Sequence, residues 1–560
     1  MDPVDRCPIE TFTNILQHVV HPTSQSDGPH NPTGWLRLLL VSRGWRDVVL
    51  STKSFWSTIY VHGENGEKWL KLCLDRAHGA SLEINIDFAN IAQLDLTLLL
   101  HYASDIRSLA LSSLLKKRLP AVNTFLASGT FSALEDLSAR RDRENIPVLA
   151  PGEVPDVVHL ALNRTAMPRL KTLQLYNLAY VADPSVLEHL EKLWLFLCWE
   201  TGSSANFMET LPAMKRLKSL YVARFGAADL VQPPSHPITL PSLTCLEIPG
   251  SNTLDLTTIL SHLHLPCATQ VILNYITDGR IDAQGHEEDT GRNAGIGDVL
   301  PRPRTNVLPF LPLVTDVALA FERERCEFAV RTAGGPHCAS VGYMPDTTGT
   351  LHEVPIDPGF QLRDLIDVAR DCPAATRLDI SAARRDFTCP ADVWRALLGH
   401  FPLLTELRFE GHGSLASLWS ALDPNGDGGG SAHGARDAVL CPALRTIALR
   451  DYTVTWNPWE EDDDDEDDEY DFRFATERLP RIELCVEACR EMLAGRAARG
   501  VPLARFEYVA APRTKELDEF ETVYREDHAA MLAEHVPEVS IRTIHTEEED
   551  TEMEDDEGET

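Results

Sequence analysis

The chain has 560 residues, of which 43% are apolar, and a formal net charge of −34. No apolar run reaches the roughly 18 residues that a membrane-spanning helix requires, so the sequence predicts no membrane insertion. No basic cluster is larger than Lys116-Lys117-Arg118, which argues against a nucleic-acid-binding face. Much of the negative charge is local, because residues 460–471 carry eleven carboxylates and residues 547–560 carry ten.

The sequence lacks the common motifs of catalysis and metal binding. It contains no phosphate-binding GxxxxGKS/T, no GxSxG and no HExxH. Its 12 cysteines are scattered and form no CxxC pair, which predicts neither a zinc site nor a disulfide framework. We therefore expect a non-enzymatic protein without metal or cofactor. The N-terminus lacks the basic start and apolar core of a signal peptide, which predicts the cytoplasm or the nucleus.

A short phrase recurs along the chain: proline, any residue, an apolar residue, two residues of any kind, and then apolar, any, apolar. The proline ends a preceding helix because it cannot donate the helical hydrogen bond. The closing residues place two apolar side chains on one face of a short strand. Since one such strand cannot bury that face alone, neighbouring copies must stack. The copies begin at Pro168, Pro241, Pro266, Pro312, Pro373, Pro402 and Pro442.

The spacing of this phrase indicates a fold. Successive central apolar residues are separated by 20, 27, 26 and 25 residues, which is the period of a leucine-rich repeat. These residues are Leu173, Leu193, Leu220, Leu246 and Val271. We therefore predict an α/β leucine-rich-repeat solenoid over residues 62–545, with parallel strands on its concave side and helices between them.

Several segments depart from the repeat composition. Residues 278–305 and 423–436 are rich in glycine and charge, and residues 457–471 are acidic, so we predict three exposed insert loops. Residues 546–560 are predicted to form a disordered acidic tail.

Two amphipathic helices are predicted before the repeats. The first begins near Pro8 and places Ile15 and Leu16 at helical spacing, and the second runs from Trp35 to Val48. One interpretation is that these helices only cap the first repeat, whose apolar face would otherwise meet water.

The motifs in residues 1–61 resemble the F-box. Cys7-Pro8-Ile9-Glu10 stands where the family's first helix begins with Leu-Pro-x-Glu, although cysteine replaces the leucine. Val41-Ser42-Arg43-Gly44-Trp45 matches the signature of the second helix, and Phe55-Trp56 matches the closing Leu-Trp. The whole chain is similar to F-box and leucine-rich-repeat proteins abundant in mushroom-forming fungi. The resemblance implies a small all-α N-terminal module that binds the Skp adaptor and, through it, a cullin. The family's adaptor contacts correspond to Pro8, Ile9, Ile15, Leu16, Val41, Trp45 and Trp56.

Outward positions of three successive strands carry mainly aromatic side chains. These residues flank the two apolar positions that the phrase buries, and they point to the opposite face. Neighbouring aromatic side chains commonly anchor protein interfaces, so we predict a target-binding surface here. A register error of one residue would instead place these rings in the core. The residues concerned are Gln174, Tyr176, Trp194, Phe196 and Tyr221.

These observations and the resemblance together predict a substrate-recognition subunit of a Skp-cullin-F-box ubiquitin ligase. The N-terminal residues would bind the adaptor and the solenoid would bind a target protein, while other subunits catalyse ubiquitin transfer. The alternative is a non-ligase repeat scaffold that binds a basic protein partner through its solenoid and acidic segments. A third alternative is an enzyme whose site is too dispersed to recognise in sequence.

Overall fold

The computed structural model describes 18 parts of the chain. Every statement below refers to these residues. They are 11, 13–15, 34–91, 94–141, 160–178, 184–198, 204–224, 236–276, 296–321, 326–335, 337–344, 358–382, 387–411, 413–425, 439–451, 482–483, 485–510 and 526–543.

The expected fold class is wrong. The described chain is a mixed α/β protein with a large sheet of 17 strands that are mostly parallel, and it shows no separate all-α module at its N-terminus. The expectation failed at the N-terminus because the segment after the helices belongs to the sheet. There, Thr58–Val61 alternates buried with less buried side chains and pairs with the next strand. Within the chain, residues 1–268 and 269–560 form two compact units.

The first unit contributes eight strands to this sheet, and each is parallel to the next along the chain. They are β1 (Thr58–Val61), β2 (Leu82–Asp87), β3 (Ile106–Leu114), β4 (Asp136–Arg141), β5 (Thr172–Tyr176), β6 (Lys192–Phe196), β7 (Ser219–Ala223) and β9 (Cys245–Asn252). Two short strands, β8 (Ile238–Thr239) and β10 (Leu263–His264), pair separately.

Helices alternate with the strands of the first unit. The α-helices are Arg43–Ser51, Gly66–Ala77, Thr97–Leu100, Leu119–Ser128, Pro184–Leu187, Ser204–Thr210 and Thr253–Ser261. The 3₁₀ helices are Gly34–Leu40, Lys53–Trp56, Lys116–Arg118 and Leu211–Ala213.

The second unit contributes nine strands, not all of them parallel. They are β11 (Gln270–Ile276), β12 (Val314–Phe321), β13 (Cys326–Thr332), β14 (Cys338–Met344), β15 (Arg377–Ala382), β16 (Glu406–Gly411), β18 (Thr446–Asp451), β20 (Arg505–Ala510) and β21 (Glu538–Thr543). The short strands β17 (Gly413–Ser414) and β19 (Ile482–Glu483) pair with each other. Strand β13 is antiparallel to both β12 and β14, an arrangement that the repeat spacing did not predict.

Helices also connect the strands of the second unit. The α-helices are Ile296–Val299, Pro358–Ala369, Ala391–Leu398, Ala416–Leu422 and Val486–Ala498. The 3₁₀ helices are Arg304–Asn306 and Leu311–Leu313.

The core lies beneath the inward face of the strands. In the first unit, Leu173, Leu193, Leu220 and Leu246 are register partners on successive strands, and all four are fully buried. The parallel register brings equivalent positions of the strand phrase side by side, so the leucines form one continuous apolar row. We call them the buried leucine row.

The end of one expected insert loop is packed rather than exposed. Within 278–305, the described residues include the helix Ile296–Val299 and the buried side chain of Arg304. Arg304 donates hydrogen bonds to the carboxylates of Asp367 and Asp371, the latter at 2.9 Å. Pairing with Arg304 lowers the pKa of the Asp367 carboxyl. These bonds through the two terminal nitrogens offset the cost of burying the guanidinium charge.

Candidate functional site

The five outward residues predicted on β5, β6 and β7 all lie on the same side of the sheet. They are half-buried, whereas the apolar residues between them are fully buried. The rings are therefore outside the core, and the alternative of a one-residue register error is excluded. We call this surface the aromatic face. Its residues are Gln174, Tyr176, Trp194, Phe196 and Tyr221.

The register of the strands brings the rings of the aromatic face into pairs. Trp194 is opposite Tyr221, and their rings stack with centroids 5.1 Å apart and an interplanar angle of 22°. Tyr176 is opposite Phe196, with centroids 5.8 Å apart. Paired aromatic rings favour each other beyond the area that they bury, so they form a surface with a defined geometry.

The electrostatic surroundings of the two tyrosines differ. Burial raises the pKa of the Tyr176 hydroxyl, and the positive charge of Arg140 opposes this effect. Burial also raises the pKa of the Tyr221 hydroxyl, and the negative charge of Glu247 adds to the increase. The aromatic face therefore has a cationic side chain near one end and an anionic side chain near the other.

Sequence reasoning missed Glu247 as a functional residue. Glu247 is on β9, is the register partner of Tyr221 and is half-buried. Burial raises the pKa of its carboxyl, and no described residue forms a hydrogen bond or ion pair with it. The signal available in the sequence was its position, because Glu247 lies between Leu246 and Ile248 just as Trp194 lies between two leucines.

The residues expected to contact an adaptor fall into different environments. Val41 is 58% exposed, Ile15 is 53% exposed and Trp45 is half-buried. Trp56 is only 3% exposed and lies in the core. Pro8, Ile9 and Leu16 are outside the described residues. The helix Arg43–Ser51 thus carries part of the predicted contact set.

This helix is fixed at both ends. The Ser42 hydroxyl accepts a hydrogen bond from the Trp45 backbone N–H at 3.3 Å, which caps the helix at its N-terminus. The Trp56 indole N–H donates to the Val49 carbonyl oxygen at 2.9 Å, near the other end. Trp56 also packs against Trp35 and Trp69, with ring centroids 5.2 Å and 6.1 Å away. The arrangement leaves Val41 and its neighbour Leu40, which is 79% exposed, at the surface.

The second unit presents a different surface at equivalent strand positions. Here charged side chains of β15, β16, β20 and β21 line a groove of about 1060 Å³, together with residues of β12, β13 and β18. Arg377 pairs with Asp379 at 2.7 Å, and Arg408 pairs with Glu406 at 2.5 Å. Glu507 pairs with Arg542 at 2.8 Å and with Arg505 at 3.1 Å. We call these seven residues the charged face.

Two further properties concern the described residues only. Among them, no group of three or more histidine, cysteine, aspartate or glutamate side chains is arranged to hold a metal ion. No described helix is both long enough and apolar enough to span a membrane. The acidic segments 457–471 and 546–560 lie outside the described residues, as does most of the predicted insert 423–436.

Comparison with known proteins does not assign the chain to a group. The sequence matches no protein-family model and no curated protein. The resemblance to the F-box therefore rests on the residues quoted above.

Proposed function

We propose that this protein recognises a target protein through its aromatic face and presents it to a ubiquitin ligase through its N-terminal residues. The observation that carries the first part is the stacked pair Trp194 and Tyr221 on adjacent strands. Half-buried aromatic side chains in fixed positions provide a large contact area with little loss of conformational entropy on binding. The aromatic face is therefore the surface best suited to anchor a protein partner.

The second part of the proposal rests on the exposed apolar side chains beside the helix Arg43–Ser51. Leu40 and Val41 are both more than half exposed, while Val49 and Trp56 hold the helix against the rest of the unit. Exposed neighbouring apolar residues favour contact with another protein. Val41 also begins the stretch that resembles the F-box signature, so the partner that we propose is a Skp adaptor, and through it a cullin.

In this proposal the chain positions a target and other subunits catalyse ubiquitin transfer. The protein would therefore act as a receptor without a catalytic residue, metal or cofactor of its own. Its binding energy would come from apolar contacts at both surfaces, which predicts interactions that persist at moderate salt concentration.

Co-purification of the full chain with its host's Skp adaptor tests the ligase connection. We expect the wild-type chain to retain the adaptor and the double variant Leu40→Ser with Val41→Ser to lose at least about tenfold in affinity, since two apolar contacts are removed. Leu254→Ser provides a matched control, because Leu254 is 66% exposed on another helix of the same unit.

Two outcomes would contradict this part of the proposal. If the wild-type chain does not retain the adaptor, the protein is not a receptor of this ligase class. If adaptor binding is equal in the wild type and the double variant, the adaptor binds elsewhere.

A further inference from the structure

The two faces of the Tyr221 ring have different neighbours. Trp194 on β6 stacks against the ring with an interplanar angle of 22°, so it covers the face turned toward β6. The rings stack along the direction that crosses the strands, because Trp194 and Tyr221 are register partners. The opposite face of the Tyr221 ring is therefore turned toward β9.

Strand β9 places a carboxylate on this side of the Tyr221 ring. Glu247 is the register partner of Tyr221, and neighbouring parallel strands are only about 4.8 Å apart. The negative charge of the carboxylate adds to the increase in the pKa of the Tyr221 hydroxyl, which burial raises most, in agreement with their register. An aromatic face and a carboxylate thus flank the same position on the sheet.

Glu247 lacks a partner that would offset its burial. Loss of contact with water raises the pKa of its carboxyl, and no described residue donates a hydrogen bond to it. Lys192 is two strands away on β6, and Lys218, just before β7, pairs with Glu191 instead. Arg140, the other neighbouring cation, lies toward Tyr176 at the opposite end of the aromatic face.

We propose that the Tyr221 ring and the Glu247 carboxylate together bind a lysine or arginine side chain of the target protein at the surface of the sheet. The face of an aromatic ring attracts a cation through its quadrupole, and the carboxylate adds a direct charge-assisted contact. The methylene stem of the same side chain would lie along the Trp194–Tyr221 stack. This inference rests on the proposed target-binding role of the aromatic face and specifies the chemistry of the residue recognised there.

Fluorescence anisotropy with labelled peptides tests this site in the full chain. The probes are three ten-residue Gly/Ser peptides, each with three identical guest residues: lysine, its neutral isostere norleucine, or glutamate. We expect the lysine peptide to bind at least about tenfold more tightly than the norleucine or glutamate peptide. Glu247→Gln should weaken the lysine peptide about three- to tenfold without changing norleucine-peptide binding.

Matched variants separate this site from general electrostatic attraction. Glu410→Gln also removes one of the 85 acidic residues. Glu410 is half-buried on β16, and its register partners are Ser381 and Arg450, so it has no aromatic ring beside it in register. We expect Glu410→Gln to bind the lysine peptide as the wild type does. Tyr221→Phe keeps the ring and should retain binding within about twofold, whereas Tyr221→Leu should lose it.

The outcomes distinguish failure of the inference from failure of the proposed function. If Trp194→Ala abolishes binding of the norleucine and lysine peptides alike and Glu247→Gln has no effect, the face is an apolar interface and the cation site is refuted. If the lysine peptide does not bind, or Glu410→Gln weakens it as much as Glu247→Gln does, the cation site is also refuted. If the peptides bind but Trp194→Ala does not change the affinity for any of them, the target-binding role proposed for the aromatic face is also refuted.

Discussion

The aromatic face and the charged face both consist of outward side chains of parallel strands, but they leave different groups available to a partner. In the charged face, Arg377 already pairs with Asp379, and Glu507 already pairs with two arginines. A partner would have to exchange these contacts for its own. The net gain in binding free energy would be small, because exposed ion pairs contribute only about 0–1 kcal/mol each. The aromatic face presents half-buried rings, and beside it no described residue forms a hydrogen bond or ion pair with Glu247. The outward side chains therefore determine which part of one sheet architecture is suited to binding.

The largest expected effect concerns stability. It compares a core residue of β16 with its neighbour in the charged face. Leu407→Ala should lower the free energy of unfolding of the second unit by about 3 kcal/mol, because Leu407 is fully buried. Arg408→Ala should lower it by less than about 1 kcal/mol, since its ion pairs are largely exposed. Urea unfolding of both variants measures this difference, and equal losses would show that the charged face is a major source of stability.

A second prediction compares the two faces in binding. Trp194→Ala should weaken binding of the lysine peptide by at least about tenfold, or about 1.4 kcal/mol, because it removes one ring of the stacked pair. Arg408→Ala should leave binding within about twofold, since that side chain belongs to the charged face. Anisotropy titrations of both variants check this prediction. A larger loss for Arg408→Ala would assign binding to the second unit.

The smallest effect concerns the dependence of stability on pH. The folded-state pKa of the Glu247 carboxyl is raised above the unfolded value of 4.5, so its ionisation destabilises the fold progressively as the pH rises above the unfolded value. Glu247→Gln should therefore raise the Tm slightly at pH 7, and the gain should disappear near pH 4, where the wild-type carboxyl is also neutral. Glu507→Gln should lower the Tm at pH 7, because Arg505 and Arg542 lose a partner. Thermal unfolding at both pH values tests these opposite signs, and a lower Tm for Glu247→Gln at pH 7 would contradict the first.

Local patterns predicted much of the first unit. The strand phrase located β5, β6, β7 and β9, and alternation within it predicted which side chains are buried. These features depend on neighbouring residues, so they are visible in the sequence. The buried leucine row follows directly from the same alternation.

Features that depend on pairing partners were not predictable in the same way. The antiparallel direction of β13 depends on its pairing with β12 and β14, which alternation within the strand does not reveal. The strand Thr58–Val61 has only four residues, too few for a clear period. The sequence places Glu247 at an outward position, but its half-burial depends on the strands and residues packed around it. The burial of Trp56 likewise depends on two tryptophans elsewhere in the chain.

The buried leucine row has a consequence for how such a protein can change over generations. The four leucines of this row are fully buried and pack β5, β6, β7 and β9 against the core. Substitutions at the outward residues beside them are therefore expected to change the stability of the fold little. A few substitutions at these outward positions would exchange one recognition surface for another while the scaffold stays intact. The same strands can therefore carry outward surfaces of very different chemistry.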